Sequence, residues 1–253
     1  MENPVLFVHG IGATGNIWKK VAIPGRISYF LSFSNRFAHP QNQVPELKSE
    51  IDRVLRIEGK DKVILVCHSM GGLVARRYLA DNFTSHRVEK LILLSAPNQG
   101  SIALSFNWFP MELIAVGLLG SWLASRIWPL MLTLIGLAWE AVAYLRGVLL
   151  LSPAGWSMQP NSKFLKELNT QKLPTDIKYI AILSDTNGLP HRLVNLFLFR
   201  EGGDGAVPIS SQRLSLKSVP NFSGLNYSEL KVDLPHFAIP RRAEEAVLRA
   251  LES

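Results

Sequence analysis

Residues 63–73 read Val-Ile-Leu-Val-Cys-His-Ser-Met-Gly-Gly-Leu, a β-branched and aliphatic run ending in a serine among small residues. A helical pattern over 73–82 follows at once. Strand, sharp turn and helix with serine at the apex expose a hydroxyl in position to attack an electrophilic carbon. The bend is tight, so its flanking positions must be small; Gly71 and the small thiol residue Cys67 meet that need. A strand-to-helix turn that is merely rich in glycine is the bland alternative. A serine of ordinary acidity is a weak nucleophile and needs an adjacent base, itself held by an acid.

Three histidines lie downstream of Ser69: His86, His191 and His236. His86 follows the elbow helix too soon to return to the serine, and His191 sits in a Gly-Leu-Pro-His-Arg loop. His236 follows a late strand-like run, 229–234, and precedes an amphipathic helix over 241–251. It is the candidate base. Among the acids, Asp233 is too near His236 in sequence to reach its ring easily. Asp204 stands in Glu-Gly-Gly-Asp-Gly-Ala-Val-Pro, where flanking glycines let a carboxylate approach closely. Such an acid would accept the His236 Nδ1 proton and stabilise the imidazolium. Asp185 ends the strand-like run 177–184 and is the second candidate, although Ser-Asp-Thr-Asn-Gly also reads as a turn. For the oxyanion, one donor is the amide of Met70, the residue after the serine. The other comes from the early glycine-rich turn after strand 4–8, where His9-Gly10-Ile11-Gly12-Ala13-Thr14-Gly15 can present the Ile11 amide. That turn lacks the Gly-Lys-Ser/Thr ending of a phosphate loop.

The pieces Phe7-Val8-His9-Gly10, Cys67-His68-Ser69-Met70-Gly71-Gly72, Leu94-Ser95-Ala96-Pro97-Asn98-Gln99-Gly100-Ser101, Asp204-Gly205-Ala206-Val207-Pro208 and Pro235-His236 run through most of the chain. In type and order they resemble the α/β-hydrolase lipases and esterases, in particular bacterial triacylglycerol lipases and related lipid-deacylating enzymes. The resemblance implies Ser69, Asp204 and His236 as a triad, with Ile11 and Met70 as oxyanion donors; no cofactor or metal is expected at the site, and a structural calcium elsewhere stays open. Two positions depart from the family pattern: Cys67 replaces a glycine, and Ala-Pro-Asn-Gln-Gly stands where Thr-Pro-His-x-Gly is common. Neither is a residue that would do chemistry.

The positioning elements agree with this reading. A chain of 253 residues suits one α/β domain. Strand-like runs at 4–8, 62–66, 88–94, 177–184 and 229–234 alternate with helical patterns, including 44–57 and 162–169, which predicts a mostly parallel sheet covered by helices. Cys67, the single cysteine, excludes an intrachain disulfide and reads as a small buried residue, not as a reactive thiol.

Residues 108–151 are different. Their only charges are Glu112, Arg126, Glu140 and Arg146, among many Leu, Ile and Trp residues. The uncharged stretches 113–125 and 127–139 fall short of the ~18–20 apolar residues that span a bilayer, and Pro129 interrupts the second. The expectation is a hydrophobic helical lid or cap over Ser69, inserted into a hydrolase core made of 1–107 and 152–253. It would wall an acyl channel or lie on a membrane surface; packing onto the core and a membrane hairpin are the alternatives. The net charge of +7 suits an anionic lipid surface. Nucleic acid is a poor partner, because the basic residues are scattered and form no stripe. No secretory signal precedes the first strand, so a cytoplasmic protein, peripherally membrane-associated, is expected. The expected activity is hydrolysis of hydrophobic acyl esters or lipids through an acyl-enzyme. An acyltransferase or thioesterase with the same triad is the nearest alternative, and a catalytically silent lipid-binding module is a more distant one.

Overall fold

The computed structural model describes residues 2–21, 23–104, 151–188, 195 and 199–253. Residues 108–150 of the expected lid, and His191, lie outside these described residues. Among the described residues, no helix is long and apolar enough to cross a membrane.

Among the described residues, six parallel strands form one sheet in the order β2-β1-β3-β4-β5-β6. They are β1 (Val5–Val8), β2 (Ser28–Leu31), β3 (Val63–His68), β4 (Val88–Leu94), β5 (Lys178–Ser184) and β6 (Asn226–Val232). Parallel strands require crossovers, and α1 (Pro40–Glu58) and α2 (Met70–Asp81) supply two of them. The shorter helices are α3 (Pro153–Ser157), α4 (Lys163–Leu168), α5 (Ile209–Gln212), α6 (Ile239–Arg242) and α7 (Glu244–Glu252).

The four central strands, β1, β3, β4 and β5, are almost entirely buried because both faces are covered. Every residue of β1 and β3 is buried. Successive side chains take opposite faces. Leu6, Val8, Leu65, Cys67, Leu91 and Leu93 pack with Leu47 and Ile51 of α1 and Val74 and Tyr78 of α2. Val5, Phe7, Ile64, Val66, Ile92 and Ile180 pack on the other face with Trp18, Val247 and Leu251. Each such aliphatic side chain contributes about 1.5–3 kcal/mol when fully buried. These two layers fix the sheet as a rigid support for the loops at its carboxyl edge.

Two buried cations secure the layers. Lys90 Nζ donates to the Ala250 and Leu251 carbonyls at 3.0 and 2.8 Å, which satisfies the end of α7. Arg76 of α2 is fully buried and donates to Asn98 Oδ1, Asn169 Oδ1 and the Ser218 carbonyl. Burial lowers its pKa to about 9. It ties α2 to the loop after β4, to the end of α4 and to the turn before β6.

The strand and helix boundaries differ from the sequence reading in instructive places. β2 and α3 went unread, since Ser-Tyr-Phe-Leu and Pro-Ala-Gly-Trp-Ser are too short to show a period. The terminal helical pattern is broken into α6 and α7 at Ala243. The last strand begins earlier, at Asn226, and alternates exposed polar residues as an edge strand does. At the other end of the elbow, α2 already starts at Met70.

Gly72 shows how closely α2 approaches the sheet. A Cβ there would lie 2.6 Å from Ala96 Cβ and 2.8 Å from Leu93 Cδ2. Gly72→Ala should therefore destabilise the protein by about 1–3 kcal/mol in urea unfolding, as overpacking does. An unchanged midpoint would contradict this packing of α2 against β4.

Candidate active site

β3 delivers Ser69 to the carboxyl edge of the sheet, where open α/β folds place their sites. The Ser69 backbone adopts φ 52°, ψ −124°, a conformation costly for any residue with a side chain. Local contacts enforce it. Ser69 N donates to the Leu94 carbonyl at 2.9 Å, which extends the β3–β4 ladder past its last pair, and Gly72 N donates to the Ser69 carbonyl at 3.0 Å. The bend also brings two chain segments, residues 8–10 and 68–71, into close contact. A Cβ on Gly71 would meet the His9 carbonyl at 2.7 Å, and one on Gly10 would meet Ser69 Cβ at 2.9 Å. Cys67 is fully buried within β3, and burial pushes its thiol pKa up.

Ser69, His236 and Asp204 meet in a hydrogen-bonded chain. His236 Nε2 lies 3.0 Å from Ser69 Oγ, and its Nδ1 lies 2.6 Å from Asp204 Oδ2. The ionised acid accepts, so His236 donates through Nδ1 and offers its Nε2 lone pair to the serine hydroxyl. The Asp204 side chain is fully buried, and that of His236 is nearly so. The other oxygen of Asp204 accepts from the Ala206 and Val207 amides at 2.9 and 2.7 Å. His236 N donates to the Asp204 carbonyl at 3.0 Å, so main chain and side chain both join the two residues.

The loop that carries Asp204 is held by polar side chains. Asn195 bridges the peptides on either side of Asp204, donating to the Gly203 carbonyl at 2.7 Å and accepting from Gly205 N at 3.1 Å. Asp185 accepts from Gly203 N at 3.0 Å. It supports the acid loop and does not serve as the acid facing His236. Gln212 is buried and donates to the Ser184 and Val207 carbonyls, while its Oε1 accepts from Ser184 N and Ser95 Oγ. Neither Asn195 nor Gln212 was singled out from the sequence. Each acts by bonding main chain outside its own element, and a lone amide residue carries no local signal of that. Asp233, too close in sequence to serve the ring, accepts instead from Asn187. His86 pairs with Asp176.

Ile11 and Met70 flank the serine. Ile11 lines the cavity in front of it, and Met70 opens α2, whose first amides have no partner within the helix. That cavity measures about 280 Å³. Ile11, Phe37, Pro97, Met158, Val207 and Phe237 give it apolar walls around Ser69 and His236, and no charged side chain is among its described lining residues. Such a surface favours a neutral, hydrophobic ligand group.

Two further histidines, His9 and His68, are buried beside the site. His9 Nδ1 donates to the Gly10 carbonyl at 2.7 Å and its Nε2 accepts from Phe33 N at 3.1 Å, which requires the neutral ring. Burial lowers the pKa of His9; burial, and then the proximity of His236, holds His68 well below the ordinary histidine range. In the unfolded chain both would take protons near pH ~6.5. The folded state therefore binds fewer protons just below that pH, and stability present above it is lost as the pH falls. Urea unfolding should give a lower free energy at pH ~5.5 than at ~7.5, with a smaller drop in His68→Gln. An identical drop in that variant would contradict the buried neutral ring at position 68.

Comparison with known proteins follows the same lines. The family model described as alpha/beta hydrolase fold matches residues 3–222. Among solved structures, the Bacillus licheniformis lipase BlEst2 in its mature form superposes with a TM-score of 0.69 at 19% identity, covering 99% of this chain and 92% of that one. Phospholipase PlaB from Legionella pneumophila superposes with a TM-score of 0.54 at 14% identity, over 84% of this chain and 46% of that one. In sequence, the lysosomal thioesterase PPT2-B of Xenopus laevis is 30% identical over 111 residues, which span 40% of this chain and 38% of that protein. Matched over most of its length by the family model, and carrying its strand–serine–helix elbow at the carboxyl edge of a parallel sheet, the chain belongs to the alpha/beta hydrolase fold family.

Proposed function

We propose that the protein is a serine hydrolase that cleaves hydrophobic acyl esters through an acyl-enzyme. The observation that carries this reading is the contact between Ser69 Oγ and His236 Nε2, 3.0 Å apart, at the wall of an apolar cavity. The substrate carbonyl carbon lies against Ser69 with its acyl chain along Ile11, Phe37, Met158 and Val207. His236 takes the serine proton as Oγ attacks, and passes it to the departing alcohol oxygen. Asp204 keeps the ring in the Nδ1–H tautomer and balances the imidazolium charge. The Met70 and Ile11 amides stabilise the oxyanion; a donor of this kind is worth about 2.7–4 kcal/mol of barrier. Water activated by the same histidine then releases the acid and regenerates Ser69.

The leaving group defines the second reading. The relative PPT2-B is named a thioesterase, which supports hydrolysis of an acyl thioester by the same residues. A thiolate leaves with less help from a general acid than an alkoxide does, so an enzyme built for thioesters depends less on proton delivery by His236. The apolar sequence of 108–151 and the charge of +7 support a lipid substrate presented at a membrane surface.

Hydrolysis of p-nitrophenyl esters of increasing acyl length tests the proposal. The rate should rise from acetyl toward longer chains and fall by about 10³-fold or more in Ser69→Ala. Equal rates in the two proteins would overturn the assignment of Ser69. Matched oxygen and thio esters of one acyl chain then separate the readings: a large preference for the thioester would move the assignment to a thioesterase.

A further inference from the structure

His68 precedes the serine, but none of the chemical steps uses it. Its main chain ends β3, paired with Leu94 of β4, and its ring is buried. The ring Nε2 lies 3.2 Å from the main-chain carbonyl of His236. A carbonyl only accepts, so His68 carries its proton on Nε2. Nδ1 then bears a lone pair; it is buried and has no hydrogen-bond partner among the described residues. The His68 and His236 rings lie against one another, with centroids 4.7 Å apart at 43°. Trp18 meets the His68 ring edge-on at 6.4 Å, and a Cβ on Gly10 would come within 3.1 Å of its Nδ1. The ring is wedged.

We propose that His68 is a positioning residue for the base: its Nε2–H anchors the His236 main chain, and its ring is the wall that sets the plane of the His236 imidazole. This rests on the reading of His236 as the base of Ser69. One dipeptide at the end of β3 then holds both reaction partners, Ser69 through its hydroxyl contact with His236 and His68 through the bond to the His236 carbonyl. The distance between nucleophile and base is thereby set by the rigid strand, not by the loop that carries His236. The His236 amide is held separately by the Asp204 carbonyl, so both main-chain polar groups of the base are anchored.

The choice of histidine has a physical reason. The position needs a hydrogen-bond donor on a flat body that can stack, and it must stay uncharged while His236 becomes an imidazolium. The titratable side chains facing the ring are His236 and His9, and Asp204 stands beyond His236. A lysine or arginine here would oppose the charge that His236 gains in the reaction.

The test is the rate at which a fluorophosphonate modifies Ser69, with ester kcat and KM measured alongside. His68→Gln keeps an amide donor near the position of Nε2, whereas His68→Leu keeps bulk alone. His68→Leu should slow phosphonylation and kcat at least about tenfold with KM moved less than about twofold, because a small misplacement of a catalytic group is costly. His68→Gln should recover to within about threefold of the native rate. Native speed in the folded Leu variant, or a Gln variant as slow as Leu, would overturn the proposal. If the Leu variant does not fold, the imidazole nitrogen signals of the native protein decide. His68 must show the neutral Nε2–H tautomer throughout pH ~5–8, and the Nδ1–H form or a titration in that range overturns the role. A native protein that is not phosphonylated at all would instead defeat the catalytic reading itself.

Discussion

Holding Ser69 at a positive φ is the constraint on which the rest of the catalytic edge depends. Such a backbone costs on the order of 1–3 kcal/mol and persists only where its surroundings over-determine it. Here they do. The β3–β4 ladder runs one residue past its last strand pair to take the Ser69 amide, and α2 begins on the next residue. The turn after β1 closes on the bend at distances that leave no room for a Cβ at Gly10 or Gly71. The strain turns the hydroxyl out of the sheet and toward His236, and it leaves the first amides of α2 beside the same point. In the proposed mechanism, nucleophile and oxyanion donor thus come from one backbone feature.

The opposite half of the site is built by another means. Asp204 and His236 sit on loops, where precision must come from side-chain hydrogen bonds and not from strand pairing. Asp204 is fully buried and accepts two amide bonds from its own loop in addition to the His236 ring. Asn195 braces that loop from within, and Asp185 and Gln212 fix it to the ends of β4 and β5. A buried polar network of this kind is rigid when each member is satisfied. The carboxylate is held ready, so in the proposed mechanism little reorganisation is left for the step in which His236 takes the serine proton. His68 links the two halves, because it belongs to the strand that carries Ser69 and bonds to the carbonyl of His236.

Parts of this were legible in the sequence because they are local. The apolar run into Ser-Met-Gly-Gly encodes a strand, a bend and a helix within a dozen residues, and β1, β3, β4 and β5 each have a run of aliphatic residues. The glycines around Asp204, and the place of His236 after the last strand, are the local features that single out these two residues, and the fold brings them together. What was not legible depends on tertiary contact. β2 is four residues long and has no periodicity of its own; it exists because β1 offers a parallel edge. Asp185 looked like a competitor for Asp204, and only the path of the loop gives it Gly203 as its partner. Gln212 reaches residues 28 and 117 positions away in sequence, and Arg76 reaches one 142 positions away. Spacing in the sequence cannot reveal such bonds.

Mapping the adduct formed by a fluorophosphonate, by peptide mass spectrometry on the native chain, tests the central claim most directly. The account predicts one phosphonyl group, carried by the peptide that contains Ser69 and absent after denaturation in urea before labelling. Labelling at another residue, or labelling of Ser69 that survives unfolding, would contradict it, because the reactivity would then owe nothing to the strained elbow and the histidine that the fold sets against it.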